Sequence, residues 1–558
     1  MAQGGRPRRS GHRTYRPSAK HGAGRSGRMT MERNEHFDVV VVGFGPSGAV
    51  AAGLLGQRGR KVLCVDRARE VYDKPRAIAV DHEIMRVFQG LGVVERIAQH
   101  VAVFPPSEYY GVDGQLIKRI DTVPKPWPLG YMPTMVFTQP PVEAALREHA
   151  SAYESVEVSL GTALVGFEET ADGVTVQLKD DTEGAVTRTV TCDYLIGCDG
   201  ASSTVRTQLS IEYEDLVFDE PWLVVDLRVN ERGIEKLPKV AIQYCEPSRP
   251  CTYIVGPGGH RRWEIMLMPG EDPREMQTEE QVWKLLSRWL TREDAELWRA
   301  ASYRFHALVA KEWRRGRVFI AGDAAHQQPP FIGQGMCQGI RDVVNLVWKL
   351  DAVMDGSAQP ELLDTYGAER SLHVRQLTTR IKEIGKLICE RDVTAARERD
   401  ARLLREAGGQ VKTIARQDIV PKLDAGLLSP IPHASNGSLF PQPRVRHADD
   451  SALLDAVAGG NWRVVTLGGA MVSEQVASAA ASIGAQVIEL APDGNAHRAA
   501  VLPDTRSIVE VDGVLAAWFE RNQCGAAIVR PDHYVYGVAS SAQSLAEALA
   551  QLDTALHG

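Results

Sequence analysis

The sequence predicts an α/β chain in which two units of alternating strands and helices flank a mainly antiparallel sheet. Three observations predict it. Residues 37–68, FDVVVVGFGPSGAVAAGLLGQRGRKVLCVDRA, run from a β-branched strand through a glycine turn into an Ala/Leu-rich helix and a second strand. Residues 221–271 alternate apolar and polar positions in short runs broken by Pro and Gly, the pattern of a half-buried antiparallel sheet. Beyond residue 436, strand-like runs return at Arg463 to Leu467, Gln486 to Leu490 and GAAIVRPDHYVYGV (525–538), with helical stretches between them.

Composition bounds the rest. A chain of 558 residues with 44% hydrophobic content can bury several cores, so two or three domains are expected. No apolar run approaches the roughly 18–20 residues that span a bilayer, and nothing near the start resembles the apolar region of a signal peptide, so a cytoplasmic protein without membrane contact is expected. The eight cysteines are scattered, without C-x-x-C or a Cys/His cluster, so neither zinc nor a disulfide framework is indicated. Residues 1–33 read as a disordered basic tail, since the first thirty carry eight Lys/Arg and no acid. Met29 and Met31 stand just before the first folded segment, so a start assigned too early accounts for this tail as plainly as a tether does. The remainder holds 56 basic against 71 acidic residues, a balance that argues against nucleic acid as a partner.

The first unit carries a nucleotide signal. Val39 to Val42 form a short run typical of a buried parallel strand, and Gly43, Gly45 and Gly48 then give G-x-G-x-x-G at a helix entrance. Such glycines let the backbone approach a pyrophosphate where free N–H groups and the helix dipole favour an anion. The second strand ends at Asp66, 23 residues after Gly43, where a carboxylate accepts hydrogen bonds from an adenosine ribose; Arg67 follows it. This is a Rossmann-like dinucleotide site, and by itself it leaves NAD and FAD both open.

Two further segments bear on that choice. CDYLIGCDGASSTVRTQL (192–209) reads as a strand entering an Asp-Gly turn at Asp199, then a helix carrying Arg206. GRVFIAGDAAHQQPPFIGQGMCQGIRDVVNLVWKL (316–350) reads as a strand that delivers Asp323 at its tip, then a glycine-rich passage into a long helix. Gly333 and Gly335 let the backbone lie against a flat ring, Pro329 and Pro330 stiffen the approach, and helix N–H groups at Gln334 to Met336 favour negative charge. GPGGH (256–260) reads as a hairpin, because no helix follows it.

Together these motifs resemble, in order and spacing over roughly residues 36–400, the three fingerprints of the class A FAD-dependent aromatic hydroxylases, the phenol hydroxylase-like flavoproteins. The resemblance implies FAD as cofactor and NADH or NADPH as a transient co-substrate, with a phenolic substrate and O₂, and no metal. It implies a Rossmann-like FAD-binding domain (34–393), a mainly antiparallel β-sheet substrate domain at roughly 212–305, a linker at 394–435 and a C-terminal thioredoxin-like domain at 436–558 that lacks C-x-x-C and is structural or forms a homodimer surface. Cofactor contacts are implied at Gly43, Gly45, Gly48, Asp66, Arg67, Arg76, Gln139, Asp199, Arg206, Asp323, Gly333, Gly335 and Met336, with Asp323 on the ribityl chain and the glycine-entered helix aimed at the pyrimidine edge of the flavin.

His326 reads as a packed histidine supporting its turn. Asp81 and His82 are candidates for assisting a phenol, with surface placement as the alternative, so no catalytic residue is assigned. Within the class, PRAIAVDHEIMRVFQGLGV (75–93), RRWEIMLMPGE (261–271) and VRPDHYVYG (529–537) resemble the branch that acts on 3-(3-hydroxyphenyl)propionate. That resemblance implies hydroxylation of this compound or 3-hydroxycinnamate ortho to the hydroxyl, in aromatic catabolism; a substrate carboxylate wants a cation nearby, and Arg249, Arg261 and Arg262 in the sheet domain are available, with solvated charges or salt bridges as the alternative for each. Hydroxylases of other phenols or aromatic polyketides share the fingerprints, and a flavin oxidoreductase of the same fold without oxygen insertion is the remaining alternative.

Overall fold

The computed structural model describes residues 35–180, 187–447, 450–491 and 505–558, so the expected basic tail lies outside the described residues. Strand Glu35–Val42 lies between the parallel strands Thr187–Gly197 and Val62–Asp66, and Val318–Ile320 and Val156–Leu160 continue the parallel order outward. Val39 to Val42 are all buried, which explains a continuous apolar run where a half-exposed strand would alternate. Helix Pro46–Gln57 packs against helices Gln139–Ser151 and Gly335–Met354. Parallel strands bring their carboxyl ends together, so the turns after Val42, Asp66, Gly197 and Ile320 gather along one edge.

The second sheet has nine strands: His326–Gln327, Ala295–Ala310, Tyr213–Val229, His260–Met266, Cys251–Val255, Ala241–Tyr244, Ser107–Tyr110, Leu116–Asp121 and Thr413–Ala415, in that spatial order. It is antiparallel except where Ser107–Tyr110 meets Ala241–Tyr244 and Thr413–Ala415 meets Leu116–Asp121. The sheet therefore reaches well outside the 212–305 span, and the 394–435 segment contributes one of its edge strands. GPGGH is the expected hairpin, with Gly256 N–H donating to His260 O at 3.0 Å between two antiparallel strands. Strand alternation divides the sheet. Leu223, Val225, Trp263 and Ile265 face helix Glu279–Leu286, while Trp222, Val224 and Asp226, paired with Met266, Glu264 and Arg262, occupy the opposite face.

The C-terminal unit has strand order Thr505–Ile508, Gln486–Leu490, Arg463–Leu467, Ala526–Val529, Val535–Ala539; the first three are parallel and the last two antiparallel. Helices Glu474–Ser482 and Ala542–His557 pack on it, completing a thioredoxin-like arrangement. It docks on the first domain through buried charges. Glu369 accepts hydrogen bonds from Lys349 at 2.8 Å, Asn345 at 2.6 Å, Leu427 N–H at 2.9 Å and Arg530 at 2.7 and 3.0 Å, and Arg530 also holds Asp532. Among the described residues, no helix is long and apolar enough to cross a membrane.

Candidate functional site

A cleft of about 760 Å³ opens between the gathered turns of the first sheet and the polar face of the second. Gly43, Gly45, Asp66, Arg67, Arg76, Asp199 and Asp323 line one side, and Val224, Arg262, Glu264, Arg299, Tyr303 and Phe305 the other, with Pro330 between them. The glycines divide by role. Gly43 has φ +98° and a Cβ there would lie 2.4 Å from Cys198 O; a Cβ on Gly48 would lie 1.9 Å from Gly43 O. Both are required by close backbone approach. A Cβ on Gly45 would meet nothing within 4 Å, so this residue keeps open space at the N-terminus of helix Pro46–Gln57, where an anion is favoured.

The carboxylates also differ. Asp66 accepts Phe44 N–H and Ala68 N–H, each at 2.7 Å, which fixes the turn around it. Asp199 accepts Ser203 Oγ at 2.5 Å and the N–H groups of Thr204 and Val205 at 2.7 and 3.1 Å, capping helix Thr204–Gln208. The Asp323 carboxylate accepts no hydrogen bond from another described residue and opens onto the cleft, while its backbone carbonyl accepts the Tyr213 hydroxyl at 3.2 Å. Desolvation raises its pKa, against the pull of His326 and Arg76. Asp323 is therefore an available acceptor for a bound hydroxyl, whereas Asp199 is occupied.

The other expected residues are distributed around this cleft. Arg76 lies over the Tyr72 ring at 4.9 Å. Gln139 is buried behind it, accepting Ala77 N–H at 2.6 Å and donating to Glu143 at 3.0 Å, so it positions the backbone after Arg76. Arg206 is not on the cleft wall; it donates to Ala201 O and Ala324 O at 3.2 Å and to the Tyr213 hydroxyl, bracing the Asp199 turn against the Asp323 turn. Gly333, with φ +67°, packs against the Ala79 methyl, and Gly335 and Met336 begin helix Gly335–Met354 beyond Pro330. None of Gly48, Gly333, Gly335 and Met336 lines the 760 Å³ cleft.

His326 is a packed histidine: it stacks on Trp313 and bonds Asp342 at 2.8 Å. Asp342, not singled out in the sequence, also accepts Gly322 N–H and Arg370, each at 2.9 Å, and so holds the turn that presents Asp323. Glu143 and Arg147, an i, i+4 pair 2.7 Å apart, line the cleft as well.

Asp81 and His82 are not at the surface. Asp81 pairs with Arg341 and caps helix His82–Gly90, and burial lowers the His82 pKa to about 4 despite Asp81. Both line a separate cavity of about 390 Å³ against the C-terminal unit. The three arginines available for a substrate carboxylate are all engaged by the protein itself, in line with the alternative reading. Arg249 pairs with Glu271 at 2.7 Å, Arg261 donates to the carbonyls of Gly256, Gly258 and His260, and Arg262 grips Asp226 at 2.7 and 3.1 Å.

An open glycine at a helix N-terminus, a carboxylate at the second strand tip and a free acceptor at Asp323 fit a dinucleotide with phosphates at one end and a hydroxylated chain at the other. This is the class of FAD-binding flavoproteins, and the family described as "FAD binding domain" matches residues 36–381. The chain belongs to that family and is a flavoprotein aromatic monooxygenase with FAD as its cofactor. The family described as "HcaD C-terminal domain" matches residues 437–555.

A Rhodococcus jostii (strain RHA1) protein described as a probable NADH-specific resorcinol 4-hydroxylase is 36% identical over 514 residues, 91% of this chain and 93% of that one. A Mycobacterium sp. (strain JLS) 3-(3-hydroxy-phenyl)propionate/3-hydroxycinnamic acid hydroxylase is 32% identical over 537 residues, 93% of this chain and 91% of that one. The flavin-dependent monooxygenase PieE, in complex with FAD and substrate, shares the fold at a TM-score of 0.76 and 21% identity, over 93% of this chain and 99% of that one. Aklavinone-11 hydroxylase with FAD and aklavinone does so at 0.74 and 21%, over 93% and 100%.

Proposed function

We propose that the protein uses NADH or NADPH to hydroxylate a meta-substituted phenol ortho to its hydroxyl. FAD would lie with its pyrophosphate at Gly45 and the entrance of helix Pro46–Gln57, its ribose at Asp66 and its ribityl chain at Asp323, with Arg67 and Arg76 along the same wall. Bound FAD supplies the redox chemistry, taking a hydride from the nicotinamide and activating O₂. The chain orients the phenol and keeps water out. Trp222, Phe305 and Phe331 form an apolar cluster beside Pro330, with Trp222 stacked on Phe305 at 5.7 Å, and this wall limits water at the reacting ring. The observation that carries the proposal is the continuity of one cleft from the phosphate turn at Gly45 to Phe305 on the substrate sheet.

Two substrates stand for the two branches of relatives: 3-(3-hydroxyphenyl)propionate, with 3-hydroxycinnamate beside it, and resorcinol. Each carries a second group meta to a hydroxyl. Engagement of Arg249, Arg261 and Arg262 removes the proposed clamp for a carboxylate and favours the uncharged resorcinol. The test is NADH and NADPH oxidation by the FAD-loaded protein with each phenol, together with mass spectrometry of the product. A product heavier by one oxygen supports the proposal. Peroxide formation without product from any meta-substituted phenol overturns the substrate class, and flavin that neither nicotinamide reduces overturns the choice of reductant.

A further inference from the structure

On the sheet wall of the cleft, one carboxylate has no counterpart in the cofactor assignments. Glu264 lies on strand His260–Met266, on the same face as Arg262, and pairs in register with Val224 and Thr252. It is 2% exposed, lines the cleft, and its Oε2 is buried without a hydrogen-bond partner. The neighbours that could neutralise it are committed. Arg262 holds both oxygens of Asp226 and the Arg76 carbonyl, and Arg299 donates to Pro75 O and the Tyr303 hydroxyl while lying 3.8 Å from Asp226. Thr252 on the adjacent strand gives its hydroxyl proton to Gln243 at 2.5 Å. A buried carboxylate without a donor is costly, and such a group in a cleft marks a place where a ligand brings the missing donor.

Resting on the reading of the protein as a phenol hydroxylase, we infer that Glu264 receives the hydroxyl of the substrate. Its carboxylate accepts the phenolic O–H hydrogen bond and, in the reaction, the proton, leaving a phenolate and a neutral carboxylic acid. Removing that proton makes the ring more electron-rich, which is what oxygen insertion requires. Burial raises the pKa of Glu264 to about 7, against Arg262 and with Asp226 adding to the rise, close to the value that suits proton exchange at neutral pH. The same group repels a second carboxylate. Glu264 therefore selects uncharged phenols of the resorcinol kind over phenylpropionates.

The test uses the FAD-loaded protein and its Glu264→Gln variant, with resorcinol and 3-(3-hydroxyphenyl)propionate as probes. Binding is read from perturbation of the flavin absorbance between pH 6 and 8.5, and turnover from oxygenated product. Arg76, Arg262, Arg299 and Asp323 line the same cleft, and Asp226 pairs with Arg262 and Arg299; the two arginines of the sheet wall are committed to those partners, and Asp323 lies on the opposite, cofactor wall. In the unaltered protein, resorcinol affinity rises as pH passes through about 7 and the acceptor ionises. In Glu264→Gln this dependence disappears, resorcinol binds about tenfold more weakly, and its hydroxylation slows about a hundredfold. Phenylpropionate binds the variant as well as or better than it binds the unaltered protein. Unchanged resorcinol affinity and pH profile in the variant would overturn the inference while leaving the hydroxylase reading intact. Failure of the unaltered protein to hydroxylate either phenol overturns both. Melting curves of the two proteins show whether the variant is folded, and if it is not, Glu264→Asp, which keeps the charge but withdraws it, must show the same loss of resorcinol affinity for the inference to stand.

Discussion

The carboxylate of Glu369 is one of the buried points at which the C-terminal unit is joined to the first domain, beside the Arg86–Asp455 pair, and its replacement by Gln has a predictable effect. The side chain is fully buried and accepts hydrogen bonds from Lys349, Asn345, Leu427 N–H and Arg530. Burial alone would raise its pKa, but Arg530 and Lys349 override that and hold it at about 2, against an ordinary 4.5. A difference of this size corresponds to about 3 kcal/mol of stability. Because the folded-state value is depressed, this stability is present above about pH 4.5 and is lost as pH falls through about 2. Glu369→Gln removes the charge at every pH and leaves Lys349 without its anion, for which loss of one partner of a buried pair costs about 3–5 kcal/mol. The two routes agree on the magnitude. Melting monitored by near-ultraviolet circular dichroism should show the first transition on the order of 10 °C lower. Limited proteolysis should cut within 394–435 and release the C-terminal unit. An unchanged first transition and an unchanged digestion pattern would refute the claim that this network holds the two domains together.

The glycine turn offers a paired comparison. Gly48→Ala drives a methyl into Gly43 O and should destabilise the fold by about 1–3 kcal/mol, whereas Gly45→Ala meets no protein atom and should fold normally but bind FAD about tenfold more weakly, as read from melting curves and flavin content. Asp323→Ala should also leave the fold intact, since its carboxylate has no protein partner, and lower FAD affinity about tenfold in a flavin-fluorescence titration. Glu264→Gln should stabilise the protein in a pH-dependent way. Its folded-state pKa is raised to about 7, so the destabilisation is small at low pH, grows through about 7 and is complete above it. The variant should exceed the unaltered protein by about 1 kcal/mol at pH 5 and about 3 kcal/mol at pH 8, and an equal gain at both would refute the assignment.

What the sequence by itself determined about this protein is the local machinery of the nucleotide side. A β-branched run, a glycine that must adopt φ +98°, an Asp at the second strand tip and an Asp323 ahead of a glycine-entered helix are each imposed by residues within a few positions of one another. The strand, turn and helix predicted the Rossmann-like sheet, and the order of the three motifs carried the resemblance that implies FAD. The hairpin at GPGGH and the packed role of His326 were legible for the same reason. The tertiary structure alone decided which charged groups are free. Arg249, Arg261 and Arg262 look identical in sequence to cations awaiting a substrate, yet their partners Glu271, Gly258 O and Asp226 are set by strand register and loop closure. Arg206 and Arg76 differ only in where their neighbours place them. The recruitment of Ser107–Tyr110 and Thr413–Ala415 into the substrate sheet joins positions far apart in the chain. Glu264 became visible as a site residue only when every nearby donor was found committed elsewhere. A hydrogen bond or ion pair is satisfied by whatever lies within about 3 Å in space, and that distance is a property of the packed chain.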